Sequence, residues 1–148
     1  MEEEFSTRSL LWSSPLMEKV LDLRREVFVD EQHVPEELET DEDDRVAFHV
    51  LMLRDEEAVA TLRMLPHGES IKIGRVAVKK GYRNRGLGTR LMKLAIEHAA
   101  RGEFHDAILD AQIESIPFYE RLGFVEEGDV FMDAGIPHRR MRLAVSAQ

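Results

Sequence analysis

Residues 79–90 read Lys-Lys-Gly-Tyr-Arg-Asn-Arg-Gly-Leu-Gly-Thr-Arg, and their types and spacing are suited to holding an anion. The apolar run Val76-Ala77-Val78 before them reads as the end of a strand, and a long amphipathic helix is expected from about Gly88 to Ala100. The first amides of a helix have no acceptor within it, and the helix dipole favours negative charge there. Gly86 and Gly88 let an anion come close to the backbone, so a phosphate can rest on those amides. Arg83, Arg85 and Arg90 add positive charge around the same place.

Three phosphate-binding patterns compete. A Walker loop ends in Gly-Lys-Ser/Thr, which this stretch lacks. A dinucleotide fingerprint wants a third glycine where Leu91 stands. The spacing that fits is Arg-x-x-Gly-x-Gly, from Arg83 to Gly88. On it the sequence resembles the GNAT superfamily of acetyl-CoA-dependent N-acetyltransferases, whose signature is Gln/Arg-x-x-Gly-x-Gly/Ala between a strand and a helix. The resemblance implies that acetyl-CoA is the co-substrate and that the amides of about residues 84–89 (Asn84, Arg85, Gly86, Leu87, Gly88 and Thr89) cradle its pyrophosphate, with Arg83 also among the cofactor-binding residues. It also implies that Val76 and Val78 offer backbone hydrogen bonds to the pantetheine arm and the thioester carbonyl, with Ala77 between them among the cofactor-binding residues.

Downstream, Gln112-Ile113-Glu114-Ser115-Ile116-Pro117-Phe118-Tyr119-Glu120-Arg121-Leu122-Gly123-Phe124 is similar to the second signature of that family. There an aromatic-Tyr pair on a short helix precedes x-x-Gly-Phe, and Phe118, Tyr119, Gly123 and Phe124 match it. The family commonly has Asn where Gln112 stands and Ala where Ser115 stands; Gln112 retains an amide for the pantetheine. Attack of an amine on a thioester makes an oxyanion and expels a thiolate. A phenol within reach of the sulfur can protonate it as general acid, the role the resemblance implies for Tyr119. Backbone amides near Val78 can stabilise the oxyanion. The alternative is an ordinary half-buried helix tyrosine. The segments Arg24-Arg25-Glu26-Val27-Phe28-Val29-Asp30-Glu31-Gln32 and Asp133-Ala134-Gly135-Ile136-Pro137-His138 resemble the small ElaA-like branch in particular.

The attacking amine must be neutral, so a base or a water relay belongs near it. Candidates are Glu31, Asp41, Asp44, His49 and His138, of which Glu31, His49 and His138 are expected to touch the acceptor. Lys72 and Arg75, on the strand before the glycine loop, do not suit a base. An acidic rim from Glu31 to Asp44 would attract a protonated amine such as a polyamine, a lysine side chain or an aminoglycoside; solvated loop charges are the alternative.

These residues need a scaffold. A first strand is expected at residues 5–11. Ser14-Pro15 then opens a helix that Leu16, Val20, Leu23 and Val27 carry to about Val29. Val46, Phe48, Val50 and Met52 predict a strand with one strongly buried face, turning at Asp55-Glu56-Glu57 into a return over Ala58–Met64. Pro66-His67-Gly68 is a turn, and Ile71–Val78 a strand that Gly74 makes irregular. After the helix come a strand at Ala107–Ala111, a short helix at Ser115–Leu122, and strands near Phe124–Glu126 and His138–Val145. This β-α-β-β-β-α-β-α-β-β order predicts an α/β (α+β) fold: a mixed central sheet of six to seven strands with helices on both faces.

The 148 residues are one domain's worth, expected to span 1–148. Residues 1–60 hold 18 acids against six Lys/Arg, and residues 61–148 hold 11 against 14. That asymmetry suggests a cationic partner for the first part and an anionic one for the second. A net charge of −9 argues against nucleic-acid binding. Cysteine is absent and no His-x-His or His-x-x-x-His spacing occurs, so no metal is expected. With an acidic N-terminus and no long apolar run, a cytoplasmic protein with no membrane partner is expected. Edge strands in such sheets admit a homodimer. The reading is therefore an N-acetyltransferase taking acetyl-CoA and an amine acceptor. An acyl-CoA-binding regulatory domain without turnover is its alternative, and a nucleotide-binding protein of another fold is disfavoured.

Overall fold

The computed structural model describes residues 4–145; residues 1–3 and 146–148 of the expected domain lie outside the described residues. In chain order come β1 (Ser6–Leu10), α1 (Met17–Arg24) continuing as a π-helical stretch (Arg25–Glu31), α2 (Glu36–Glu39) and a 3-10 turn (Glu42–Arg45). Then follow β2 (Phe48–Arg54), β3 (Glu57–His67), β4 (Ser70–Val78), α3 (Leu87–Arg101) and β5 (Asp106–Gln112). A second 3-10 turn (Ile113–Ser115), α4 (Ile116–Arg121), β6 (Val125–Asp133) and β7 (Ile136–Ala144) complete the chain. The strands form a seven-stranded sheet in the order β1-β2-β3-β4-β5-β7-β6.

Two cores sandwich the sheet. On one face Leu87, Leu91, Met92, Ala95 and Ala99 of α3 meet Met64, Ile71, Ile73, Leu109 and Met141. On the other, Met17 and Val20 of α1 pack with Leu10, Leu51 and Leu53, while Leu23 and Val27 cover Ala77. A fully buried leucine or isoleucine in such a cluster contributes about 1.5–3 kcal/mol. β2 therefore buries both faces from Val50 to Leu53, where one had been expected, and Val46 lies outside it at 68% exposure. A strand covered by helices on both sides reads as a continuous apolar run rather than an alternation.

Every neighbouring pair is antiparallel except β4 and β5, and that exception makes the site. The parallel pair holds register only at Ser70↔Asp106, Ile71↔Ala107 and Lys72↔Ile108. Beyond Lys72 the β3–β4 register shifts between Thr61 and Arg63, and Arg75 takes a positive φ of 52°. This bulge bends β4 away from β5 and leaves a wedge between them. The irregularity expected at Gly74 thus sits one residue later.

The first helix departs from expectation at both ends. α1 starts at Met17 rather than Pro15, and it widens into π turns at Arg25. The burial of Met17, Val20, Leu23, Arg24 and Val27 fits a regular helix, so apolar spacing does not signal the widening. β3 runs through Pro66 to His67, placing the turn later than expected. β6 is far longer than the expected Phe124–Glu126, because its residues are almost all exposed and carry no buried alternation. Among the described residues no helix is long and apolar enough to cross a membrane.

Candidate active site

Gly86 is the N-cap of α3, with φ 77°, a left-handed conformation that L side chains seldom adopt. A Cβ built on it meets nothing within 4 Å, so the loop is open there. Arg90 closes the first turn by donating to the Gly86 carbonyl at 3.1 Å, whereas the amides of Gly86, Leu87, Gly88 and Thr89 find no acceptor among the described residues. Leu87 is buried and anchors the turn in the core. Gly88 serves a different purpose: a Cβ there would come 3.3 Å from Cζ of Phe118 and 3.7 Å from Val78 Cγ2. It allows α3 and α4 to approach, and Phe118 is the side chain that fills the contact.

The arginines of the loop are not equivalent. Arg83 donates through Nε to the Val78 carbonyl at 2.9 Å and forks onto both carboxylate oxygens of Glu31 at 2.9 Å each. It therefore ties the loop to the end of β4 and to the π-helical stretch, and its charge stays beside the Gly86 turn. Arg85 lies over the Tyr82 ring at 5.1 Å and Arg90 over Phe5 at 5.9 Å. Asn84 takes φ 63°, a left-handed position that asparagine tolerates.

The wedge between β4 and β5 opens into a cavity of about 360 Å³. Ile73, Gly74 and Val76 wall one side, and Leu109, Asp110 and Gln112 the other. Tyr119 and Ser115 close one end, while Gln32, Leu38, Glu39, Ile136 and His138 come from the helical segments and the β6–β7 hairpin. Ala77 is turned into the core beneath Leu23 and Val27, so only its backbone can serve a ligand.

Tyr119 is 8% exposed, and its ring meets Phe118 and Phe124 with centroids 5.0 and 6.1 Å apart. Its hydroxyl has no hydrogen-bond partner among the described residues, and burial pushes its pKa up to about 12. At neutral pH it is a protonated phenol at the cavity wall. Gln112 donates through Nε2 to Gln32 Oε1 at 2.7 Å, bridging β5 to the helical wall. His138 stands opposite Gln112 in the β5–β7 register, and its Nδ1 lies 2.7 Å from the Ile136 carbonyl.

Two expected acceptor residues lie elsewhere. His49 is fully buried in β2, off the cavity, with Nε2 2.9 Å from the Asp44 carbonyl; burial lowers its pKa despite that hydrogen bond. Because β2 is covered on both faces, neither of its sides reaches the cleft. Glu31 is held by Arg83, whose hydrogen bond depresses its pKa, and it does not line the cavity.

The acidic rim is largely an internal ion network. Arg24, buried, meets Glu39 Oε2 at 2.7 Å, Asp44 Oδ1 at 2.7 Å and the Glu39 carbonyl at 2.8 Å. Arg63 reaches Asp41 at 2.7 Å and Asp44 at 2.9 Å, and Arg75 reaches the Glu39 carbonyl at 3.0 Å. Burial would raise the Asp44 pKa, but Arg24, the Asp41 amide and Arg63 outweigh it and hold it at about 2. Asp44 is thus a buried, paired carboxylate and not a base. Glu39, Arg63 and Arg75 line the cavity, so the network forms part of its wall. The available signal was Arg24, which recurs with Val20 and Val27 on the inward face of its helix.

Residues 5–145 match the family model described as an acetyltransferase (GNAT) domain. The Bacillus subtilis (strain 168) protein YjcF, called an uncharacterized N-acetyltransferase, is 38% identical over 120 residues, 80% of this chain and 86% of its own. An acyl-CoA N-acyltransferase from Pseudomonas aeruginosa superposes with TM-score 0.87 at 34% identity, covering 95% of this chain and all of that one, 100%. Escherichia coli ElaA does so with TM-score 0.85 at 29% identity, covering 94% and 99%.

Proposed function

Since the chain belongs to the GNAT acetyltransferase family and is an acyl-CoA-dependent N-acyltransferase, we propose that it moves an acetyl group from acetyl-CoA to a primary amine of a small molecule or peptide by direct attack in a ternary complex. The observation that carries this reading is the unpartnered Tyr119 hydroxyl in the β4–β5 wedge, on the same sheet end as the open amides of Gly86–Thr89. Acetyl-CoA supplies an activated acyl group and a thiolate leaving group. The Gly86 turn fits its pyrophosphate, since the amides lack acceptors and nothing crowds the approach. Tyr119 gives its proton to the departing sulfur, a role suited to a phenol that burial keeps protonated. Gln112 and the bulged backbone at Val76 line the same cavity as the phenol. The absence of cysteine suits a reducing cytoplasm, where acetyl-CoA would be met.

The test is calorimetric titration of acetyl-CoA followed by thiol-release assays with spermidine, Nα-acetyl-lysine amide and kanamycin. Binding with release is the expected result. Binding without release from any amine favours a regulatory acyl-CoA-binding domain, and no binding overturns the cradle at Gly86.

A further inference from the structure

Resting on the transferase reading, we infer that His138 is the base that takes the proton from the attacking amine, through Nε2. A carbonyl oxygen only accepts, so the 2.7 Å contact of Nδ1 with the Ile136 carbonyl places the proton of the neutral ring on Nδ1. Nε2 then carries the lone pair, and it has no hydrogen-bond partner among the described residues. The ring stacks on Phe131 at 6.0 Å and 23°, which restricts its rotation. The tautomer and the orientation are both fixed before any substrate arrives.

The other titratable groups of the cavity are less suited. Asp110 is clamped by Arg140 at 2.6 Å and Lys72 at 3.2 Å, and these cations outweigh burial and lower its pKa. Glu39 is paired with Arg24 and Arg75. Asp43 and Asp133 are exposed carboxylates at the rim of the cavity. His67 stands opposite Ser70, which pairs with Asp106, whereas His138 pairs with Gln112, six residues along β5. At about 3.3 Å per residue that separation is roughly 20 Å, and it puts His138 at the open end of the wedge, from which the chain leads directly into α4 and Tyr119.

The step balances. The amine nitrogen's lone pair forms the N–C bond, and its proton passes to Nε2, giving an imidazolium whose Nδ1–H still points at Ile136. The C–S bond breaks with its electron pair on sulfur, which takes the phenolic proton of Tyr119. The imidazolium proton then restores the phenol, leaving an amide and free CoA thiol.

Two measurements on the full-length protein test this. Imidazole ¹⁵N–¹H correlation spectra, with the signals of residue 138 identified by their loss in His138→Asn, are expected to show the Nδ1-protonated tautomer; an Nε2-protonated ring overturns the inference. His138→Asn keeps an N–H for the Ile136 carbonyl and removes the lone pair. With acetyl-CoA and whichever of the three probe amines releases CoA fastest, it should lose at least about 100-fold in kcat and the acid limb of the kcat/KM profile, with acetyl-CoA binding retained. Retained turnover with an unchanged acid limb sinks the base alone. A wild-type protein that binds acetyl-CoA but transfers to no amine sinks the transferase reading and the base with it.

Discussion

Replacing Arg24 with methionine keeps the apolar stem and deletes the guanidinium at the centre of the buried network. Asp44 would be left with Arg63 at 2.9 Å and the Asp41 amide at 3.0 Å, and Glu39 with Arg75 at 3.3 Å. Removing one partner of a buried ion pair costs about 3–5 kcal/mol, because the other charge stays buried. An independent figure comes from proton linkage: the drop in the Asp44 pKa from 3.8 to about 2 corresponds, at about 1.4 kcal/mol per pH unit, to roughly 2.5 kcal/mol. Arg24 supplies only part of that, and its bonds to Glu39 supply the rest of the larger figure. A depressed carboxyl pKa stabilises the fold above 3.8 and loses that effect as pH falls towards 2. The gap between wild type and Arg24→Met should therefore be widest at neutral pH and narrow below about pH 4. Urea unfolding followed by circular dichroism, stepped from pH 7 to pH 3, measures both. A loss under about 1 kcal/mol at pH 7, or a gap that does not narrow, would refute the argument that Arg24 holds a buried charge in place. Because Glu39 and Arg75 also line the cavity, the acceptor KM should rise more than kcat falls.

Three further outcomes follow from the same geometry. Gly86→Val forces a β-branched residue to φ 77° and should weaken acetyl-CoA at least about tenfold by calorimetry; normal affinity would remove the turn from the cofactor site. Tyr119→Phe should lower kcat with little change in acetyl-CoA binding, since the aromatic contacts remain. The raised Tyr119 pKa also means that wild type loses stability relative to this variant as pH climbs from 10 towards 12, by about 1.4 kcal/mol per pH unit; parallel alkaline curves would contradict its burial. His49, whose pKa burial lowers from 6.5, contributes stability that is full above 6.5 and lost as pH falls below it. Unfolding curves of His49→Asn between pH 7 and pH 5 should accordingly slope less than those of the wild type.

The order of elements, the strand-loop-helix around Gly86 and the short helix bearing Tyr119 were all legible in the sequence, because each depends on local signals: glycine, proline and apolar period. What was not legible depends on what packs against what. One strongly buried face was expected of β2, yet α1 covers the other as well, and that places His49 in the interior. β6 is a surface strand with nothing to bury, so its length is set by the ladder to β7 rather than by its own residues. Gly86 and Gly88 are alike in a motif, but one is needed for a left-handed turn and the other for contact with Phe118.

The uneven charge of the two parts of the chain has its explanation in these contacts. The acids of residues 1–60 suggested a cationic partner, and the structure supplies several from the second part. Glu31 holds Arg83, Glu26 and Glu57 face Lys79, Asp41 and Asp44 hold Arg63, and Glu39 meets Arg75. Each of these cations sits on β3, on β4 or in the loop that opens α3, so the acidic segments are fastened along β3, β4 and that loop. An external amine would therefore meet a rim most of whose carboxylates already have partners, with Asp43 and Asp133 at its edge. Exposed carboxylates of that kind steer a cation by long-range attraction, an effect that added salt screens over about 8–10 Å. On the proposed reading, recognition within the cavity would fall instead to its shape and to Gln112, Tyr119 and His138, which line it. A cationic acceptor should then show a KM that rises with salt while its kcat stays level, and a salt-dependent kcat would place one of the paired carboxylates in the chemistry.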